Sequence, residues 1–449
     1  MLLDLDLTPP SSQSIAKRAL ICAALADGST ILEGSFYSQD LQVMVNALRQ
    51  IGLKVCQDSK QGRIEIIGQS GIFPVDEEYI DVENSTLTLH FLTSALAFSR
   101  GLYRINGDRR VQQFPLGDLI YALNQLGADV RSANAYDTPP LLIQGVLNRR
   151  GISPSSKRYA IHSEMSGGEQ RYAAMTGTLS SQYVSGILLA SPLATRNCPV
   201  ELHVVNQLTC DPYLLMTLEV MKEFGVEVPI QTGGDENPLF SKGTTYVIPQ
   251  GVQYRPHTYH VESDASLANY AFAAAAIAGG RVTVKNLTYT SIQKELEFIY
   301  CLQRMGCRIS FADCSVTVEK PERSLLRGIS VDMFDMEDSI QTFAVCALFA
   351  VSPSRVTNIG HLRRREPERL PKLLTELRRL GANINEFEDG FLIVPRKYLN
   401  PSTIEAEGDA RLAMSLGLIG LKVDGVRIDS ADCIRRAWPA FFDNIGLDY

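Results

Sequence analysis

Six times along this chain a helix with an apolar stripe runs into a glycine, and in five of those copies an alternating strand follows. The copies are "LRQIGLKV" at 48–55, "LNQLGADV" at 123–130, "MKEFGVEV" at 221–228, "LQRMGCRI" at 302–309, "LRRLGANI" at 377–384 and a weaker "FDNIGLDY" that closes the chain. A glycine just past the last helical turn supplies the left-handed residue by which the backbone leaves the helix. That role falls to Gly52, Gly127, Gly225, Gly306, Gly381 and Gly446. The copies lie roughly 65 to 100 residues apart, which is too far for a solenoid and suits a supersecondary unit used six times.

A second element recurs about half a unit earlier. An Ala/Leu-rich helix gives way to a strand in "ALADGSTILEGS", "ALAFSRGLYRINGD", "AIAGGRVTVKNL", "LFAVSPSRVTNIG" and "GLKVDGVRIDSAD". These strands alternate apolar and polar residues, as a sheet with one wet face requires. Each unit reads as helix, strand, helix, strand, with further short strands such as "GRIEIIG", "PLLIQG" and "GFLIVP". Six units divide into two domains of three. The helices containing "FAAAAIA" and "QTFAVCALFA" carry small residues that let helices pack closely, so their stripes are core and not sites.

The length of 449 residues makes two large domains the default. A net charge of −7 argues against a nucleic-acid or anionic-membrane partner, since both require a concentrated basic face. The one dense basic run, "HLRRREPERL" at 361–370, also contains acids and reads as a local anion site. Residues 1–9 lack the basic start of a secretory leader, and no apolar run reaches the ~18 residues that span a bilayer. The nine cysteines include no CxxC pair and the six histidines are dispersed, so no metal site is expected and the cysteines read as reduced thiols of a cytoplasmic protein.

Eight segments, in order, resemble the motifs of the enolpyruvyl transferase family. "PPSSQSIAKRAL" is similar to P-G-S-K-S-x-S-N-R-A-L, "GTLSSQYVSG" to G-S-x-S-S-Q, and "CDPYLLMT" to S-x-P-Y-x-x-x-T. "VESDASLANYAFAAAAIAGG" resembles the hinge and its helix, and "MEDSIQTFAVCALFA" the aspartate-bearing helix. "RRREPERL" is similar to R-x-K-E-[ST]-D-R-L, "EGDARLAMS" to D-H-R-[ML]-A-M, and "CIRRAWPAFF" to C-x-x-K-T-[FY]-P-x-[FY]. The likeness runs from about residue 8 to the C-terminus and is closer to the shikimate branch of the family. It implies an α/β chain with the two-domain inside-out α/β barrel fold, each domain three copies of a βαβαββ-type unit with helices buried at the centre. Residues 12–261 would form one domain and 1–11 with 262–449 the other. The hinge would lie near 10–13 and 260–264, with substrates bound in the cleft.

The resemblance also implies a reaction: the carboxyvinyl group of phosphoenolpyruvate (PEP) moves to a hydroxyl of shikimate 3-phosphate or a related cyclic acceptor. No cofactor takes part, and the protein would be a monomer whose partners are small anionic substrates. Ser180 and Ser181 would bind the acceptor's phosphate; Ser14, Arg18, Tyr213 and Arg365 would hold the rest of it. Arg369 and Arg411 would clamp the PEP carboxylate. Asp338 would take the acceptor's proton, although an aspartate at that place equally suits a helix N-cap. Glu366 would serve the methylene carbon. Gln182 and Arg436 would remain at the PEP phosphate.

The departures from the pattern cluster at that phosphate. Gln13 stands where the family has lysine, Thr86 where it has glycine, and His90 and Phe114 where it has arginine. Ala410 replaces a histidine; Cys210 and His361 replace a serine and an asparagine on the acceptor side. Each charge-assisted hydrogen bond lost costs about 1.5–3 kcal/mol; Arg109, Arg110 or Arg364 could supply a replacement cation. The alternatives to PEP-dependent transfer are lyase or isomerase chemistry on an enolpyruvyl- or shikimate-like carboxylate, and a non-catalytic binding protein.

Overall fold

The computed structural model describes residues 2–145, 171–176, 180–205, 212–232, 243–364 and 369–449. The chain divides into two compact units, Gln13–Val261 and Met1–Ser12 with Glu262–Tyr449. Both are mixed α/β and both repeat one motif.

In the first unit, three four-stranded sheets share one strand order. Glu77–Asp81 pairs in parallel with Leu102–Asn106, which pairs antiparallel with Leu141–Gln144, followed by antiparallel Asp129–Ser132. Arg171–Thr176, Val200–Val205, Gly243–Ile248 and Ile230–Thr232 repeat that order. So do Thr258–His260, Asp27–Glu33, Arg63–Gln69 and Lys54–Asp58. Thr258–His260 comes from the far end of the unit's sequence, so the first repeat is completed by its last strand.

The second unit has the same grammar. Its sheets run Leu3–Leu7, Gly280–Lys285, Ser315–Lys320, Arg308–Ala312 and Ser330–Asp332, Ser354–Thr357, Gly390–Val394, Asn383–Phe387. The sixth copy keeps only a parallel pair, Thr403–Ile404 with Arg427–Ile428, which fits the missing strand after "FDNIGLDY".

All six repeat glycines have positive φ, between +75° and +114°, as the C-cap reading requires. One strand departs from expectation. After Gly225 the residues Val226–Pro229 are irregular and the strand begins at Ile230, because Pro229 has no N–H to give a ladder.

One helix per repeat is buried. In the first unit these are Gln13–Leu25, Thr86–Ala97 and Ser181–Ala190, which pack on one another. Gly186 permits the closest approach: a Cβ there would lie 2.9 Å from Ser94 Oγ and 3.0 Å from the His90 carbonyl oxygen. In the second unit the buried helices are Ala265–Ala278, Ile340–Leu348 and Ala410–Gly417, and the alanine run of the first is wholly inaccessible. Outer helices such as Gln39–Gln50 and Arg369–Arg379 bury one stripe only. Among the described residues no helix is long and apolar enough to cross a membrane.

Candidate active site

The N-terminal ends of the buried helices carry most of the chemistry-bearing side chains of both units, with different furniture in each. In the first unit the ends are neutral. Ser85 caps Thr86–Ala97, its Oγ accepting from Thr88 N. Ser180 caps Ser181–Ala190, its Oγ accepting from Gln182 N at 3.2 Å. Ser85 gives its O–H to Thr88 Oγ1 at 2.7 Å, whereas an N-cap serine without such an acceptor uses a lone pair for the helix and keeps its O–H for a ligand. Ser180, Ser181 and Gln182 are half-exposed, as are Gln13 and Ser14 at the start of Gln13–Leu25 and Tyr213 in Pro212–Glu223.

Two cations lie beneath these ends, both buried. Lys17 Nζ donates to Ser85 Oγ at 2.8 Å and pairs with Asp40 Oδ2 at 2.5 Å. Burial holds its ammonium below the ordinary lysine value, against the opposing pull of Asp40. Arg18 is 1% exposed. Its Nε donates to Thr217 Oγ1 at 2.7 Å, and its Nη atoms donate to the carbonyls of Ser14 at 2.8 Å and Tyr213 at 3.2 Å. This guanidinium ties helices together inside the unit, so it positions Ser14 and Tyr213.

His90 is fully buried. Its Nδ1 lies 2.8 Å from Gln182 Oε1, and its ring packs on Phe114 and Tyr183 at 5.3 and 4.9 Å between centroids. Desolvation depresses the imidazole from 6.5 to about 3, against a small opposing effect of Gln182. It is therefore neutral at working pH, where an arginine would be charged. Arg109 and Arg110 are exposed in the turn before Val111–Gln113.

The depressed His90 makes a stability prediction. Below pH 6.5 the unfolded chain binds a proton that the native chain refuses, so stability falls as pH drops toward about 3. The slope is about 1.4 kcal/mol per pH unit. Urea unfolding at pH 6.5, 5.5 and 4.5 is expected to show this loss in the parent and a smaller one in His90→Gln. Equal slopes in the two proteins would refute a buried neutral imidazole.

In the second unit the ends are charged. Asp264 caps Ala265–Ala278, its Oδ1 accepting from Leu267 N, and burial raises its carboxyl above the ordinary aspartate value. Asp409 caps Ala410–Gly417 through Arg411 N and Leu412 N. Asp338 is not a cap: Ser339 occupies that position of Ile340–Leu348. Instead the Asp338 carboxylate, 11% exposed, is paired with Arg411 and lies 3.5 Å from Arg369 Nη1. Arg369 Nε also lies 3.7 Å from Asp409 Oδ2. Two guanidinium groups thus face one internal carboxylate, a geometry that a planar anion can take over.

His361 Nε2 lies 3.3 Å from Glu337 Oε2, with its ring against Phe334. Arg365, Glu366 and Cys210 lie outside the described residues, as do the side chains of Arg364 and Arg436. Sequence reasoning passed over Lys17, Asp40 and Asp409. The one available signal for Asp409 was its place before a helix in "EGDARLAMS"; Lys17 stood beside Arg18 in the otherwise apolar "IAKRALICAAL".

The profile of the EPSP synthase (3-phosphoshikimate 1-carboxyvinyltransferase) family matches residues 3–445. The chain is 35% identical to the 3-phosphoshikimate 1-carboxyvinyltransferase of Herminiimonas arsenicoxydans, over 96% of this chain and 92% of that protein. It is 35% identical to the chloroplastic 3-phosphoshikimate 1-carboxyvinyltransferase of Arabidopsis thaliana, over 96% of this chain and 80% of that protein. In fold it is similar to the EPSP synthase of Acinetobacter baumannii, with a TM-score of 0.77 at 21% identity, covering 98% of this chain and 94% of that one.

Proposed function

Because the chain belongs to the EPSP synthase family, we propose that it is a carboxyvinyl transferase that moves the enolpyruvyl group of PEP to a hydroxyl of shikimate 3-phosphate or a related cyclic acceptor. The observation that carries this reading is the facing of Asp338 by Arg369 and Arg411 at adjoining helix ends. In this reading the PEP carboxylate displaces Asp338 from the two arginines. Binding of one substrate then releases the base that the other needs, and Asp338 accepts the acceptor's hydroxyl proton. Glu366 gives a proton to the methylene carbon and takes one back as phosphate leaves.

The unit Gln13–Val261 anchors the acceptor. Ser180 and Ser181 offer two hydroxyl donors to its phosphate at a helix N-terminus, where the backbone dipoles favour an anion. Arg365 adds a cation, Ser14 and Tyr213 orient the ring, and Arg18 fixes both from below. Gln13, Gln182 and Arg436 are assigned to the donor phosphoryl group. The reaction calls on no metal or organic cofactor. The eight described cysteines are free thiols, which supports a reducing, cytoplasmic setting, and we read the protein as a monomer.

The direct test combines PEP and shikimate 3-phosphate and follows phosphate release, with mass spectrometry of the product. One enolpyruvyl ether per phosphate is expected. No phosphate at saturating substrates would overturn the reading. A second measurement addresses the anchor: Ser180→Ala with Ser181→Ala is expected to weaken shikimate 3-phosphate binding by roughly a hundredfold, since each donor to a charged group is worth about 1.5–3 kcal/mol and is partly replaced by water. Calorimetry reads the affinity and thermal unfolding reads the lost cap. Unchanged affinity would move the acceptor phosphate elsewhere.

A further inference from the structure

The inference rests on the transferase reading and concerns the form of the donor's phosphoryl group. His90 joins the first turns of two buried helices, touching Gln182, Tyr183 and Phe114; none of these side chains is charged. Gln182 Oε1 can only accept a hydrogen bond, so the imidazole proton sits on Nδ1 and Nε2 carries a lone pair. Nε2 is buried and has no hydrogen-bond partner. A buried acceptor left without a donor is costly, and it marks a place where a donor group is wanted.

A phosphate dianion is the wrong guest for that place, because its oxygens only accept and its two charges meet a lone pair. A singly protonated phosphate brings one P–OH donor and one charge, which Arg436, assigned above to the same group, and two helix N-termini can offset. The elements packed on the His90 helix hold eight other charged or titratable groups, among them Cys22, buried beside Tyr254, and the exposed Tyr121. Lys17 is held by Asp40 and Ser85, and Arg18 by Thr217 and the Ser14 carbonyl. Tyr183 and Tyr103 donate to the carbonyls of Pro115 and Val75. Asp118 accepts from Thr176, and Arg104 lies over the ring of Tyr79.

We propose that the His90–Gln182–Phe114 cluster selects the donor phosphoryl group in its singly protonated form, with P–OH donating to His90 Nε2, and discriminates against the dianion. The reaction then balances as ROH + CH2=C(OPO3H−)CO2− → ROC(=CH2)CO2− + H2PO4−. The acceptor O–C bond forms, the C–O bond to the phosphorus-bearing oxygen breaks, the methylene carbon gains one proton and returns one, and the acceptor's proton passes through the protein's carboxylates to the departing phosphate, which leaves as H2PO4−.

The test is PEP binding without acceptor, by calorimetry at pH 5.5 and 7.5. A phosphate monoester has a second pKa of about 6, so the singly protonated fraction is roughly 3% at the higher pH and roughly 75% at the lower. His90 stays neutral across this range because its burial holds it near 3, so the change reports the ligand. The parent is expected to bind PEP roughly twentyfold more tightly at pH 5.5. Phe114→Leu keeps the cluster uncharged and is expected to keep that preference. Phe114→Arg, at a half-exposed position, is expected to reverse it. Equal or weaker parent binding at pH 5.5, or no PEP binding at either pH, overturns the inference. Turnover is judged separately: phosphate release with tighter binding at pH 7.5 keeps the transferase and removes the selection, and tighter binding at pH 5.5 without phosphate release does the opposite.

Discussion

Asp338→Asn is expected to lower kcat by about 10²–10⁴-fold, the range that a positioned general base supplies, while PEP binding stays the same or tightens. The two effects have one origin. In the unliganded protein Asp338 is the anion that Arg369 and Arg411 hold. Asparagine keeps the size of the side chain and loses both the proton acceptor and the competing charge. The arginines then meet the PEP carboxylate without an internal rival, so the dissociation constant for PEP does not rise. Steady-state kinetics with a separate calorimetric Kd tests this split. If Asp338 only anchors Arg411, the variant will lose thermal stability, bind PEP less well because the clamp is disordered, and retain most of its kcat.

That pairing could not be read locally. Asp338 comes from the fifth repeat, Arg369 follows it on an outer helix, and Arg411 belongs to the sixth repeat. Each is an ordinary charged residue in its own window, and only the resemblance grouped them. The repeat itself was legible, because glycine C-caps and period-two alternation are local consequences of backbone sterics. All six glycines adopt the expected positive φ, and the shortened sixth copy shows in the sequence as a helix end with no strand after it. Val226–Pro229 misled for an equally local reason: its alternation fits a strand, but Pro229 withholds the hydrogen bond. Lys17 was illegible because a lysine in a helix ordinarily extends to solvent. Its burial is decided by Ser85 of the next repeat and Asp40 of an outer helix. Phe114 and His90 read from sequence as two lost cations; only the fold shows that they pack on each other and turn that loss into an uncharged cluster.

Arg18 separates resemblance from geometry most sharply, and its removal is expected to be the largest stability effect in the molecule. The guanidinium is 1% exposed and donates to Thr217 Oγ1 and to the carbonyls of Ser14 and Tyr213. It also lies 5.3 Å from the ring centre of Phe91. It thereby links three buried or half-buried helices of one unit. Arg18→Met keeps the apolar stem and removes the donors to these acceptors; the Tyr213 carbonyl keeps Thr217 Oγ1 as a donor, and each acceptor left unpaired costs about 1–3 kcal/mol. Relief of a buried charge offsets part of that, leaving a loss of about 3–5 kcal/mol. For a unit of this size the melting temperature would fall by roughly 10 °C. Arg18→Lys would not rescue it, because an ammonium cannot reach the same acceptors in a planar fork. Calorimetric melting of the parent and both variants decides the matter, alongside KM for the acceptor in whatever fraction stays folded. A positioning role requires the melting temperature to drop in both variants. If Arg18→Met melts within about 2 °C of the parent, equivalent to less than about 1 kcal/mol, and raises only the acceptor KM, then the guanidinium works on the substrate and not on the helices.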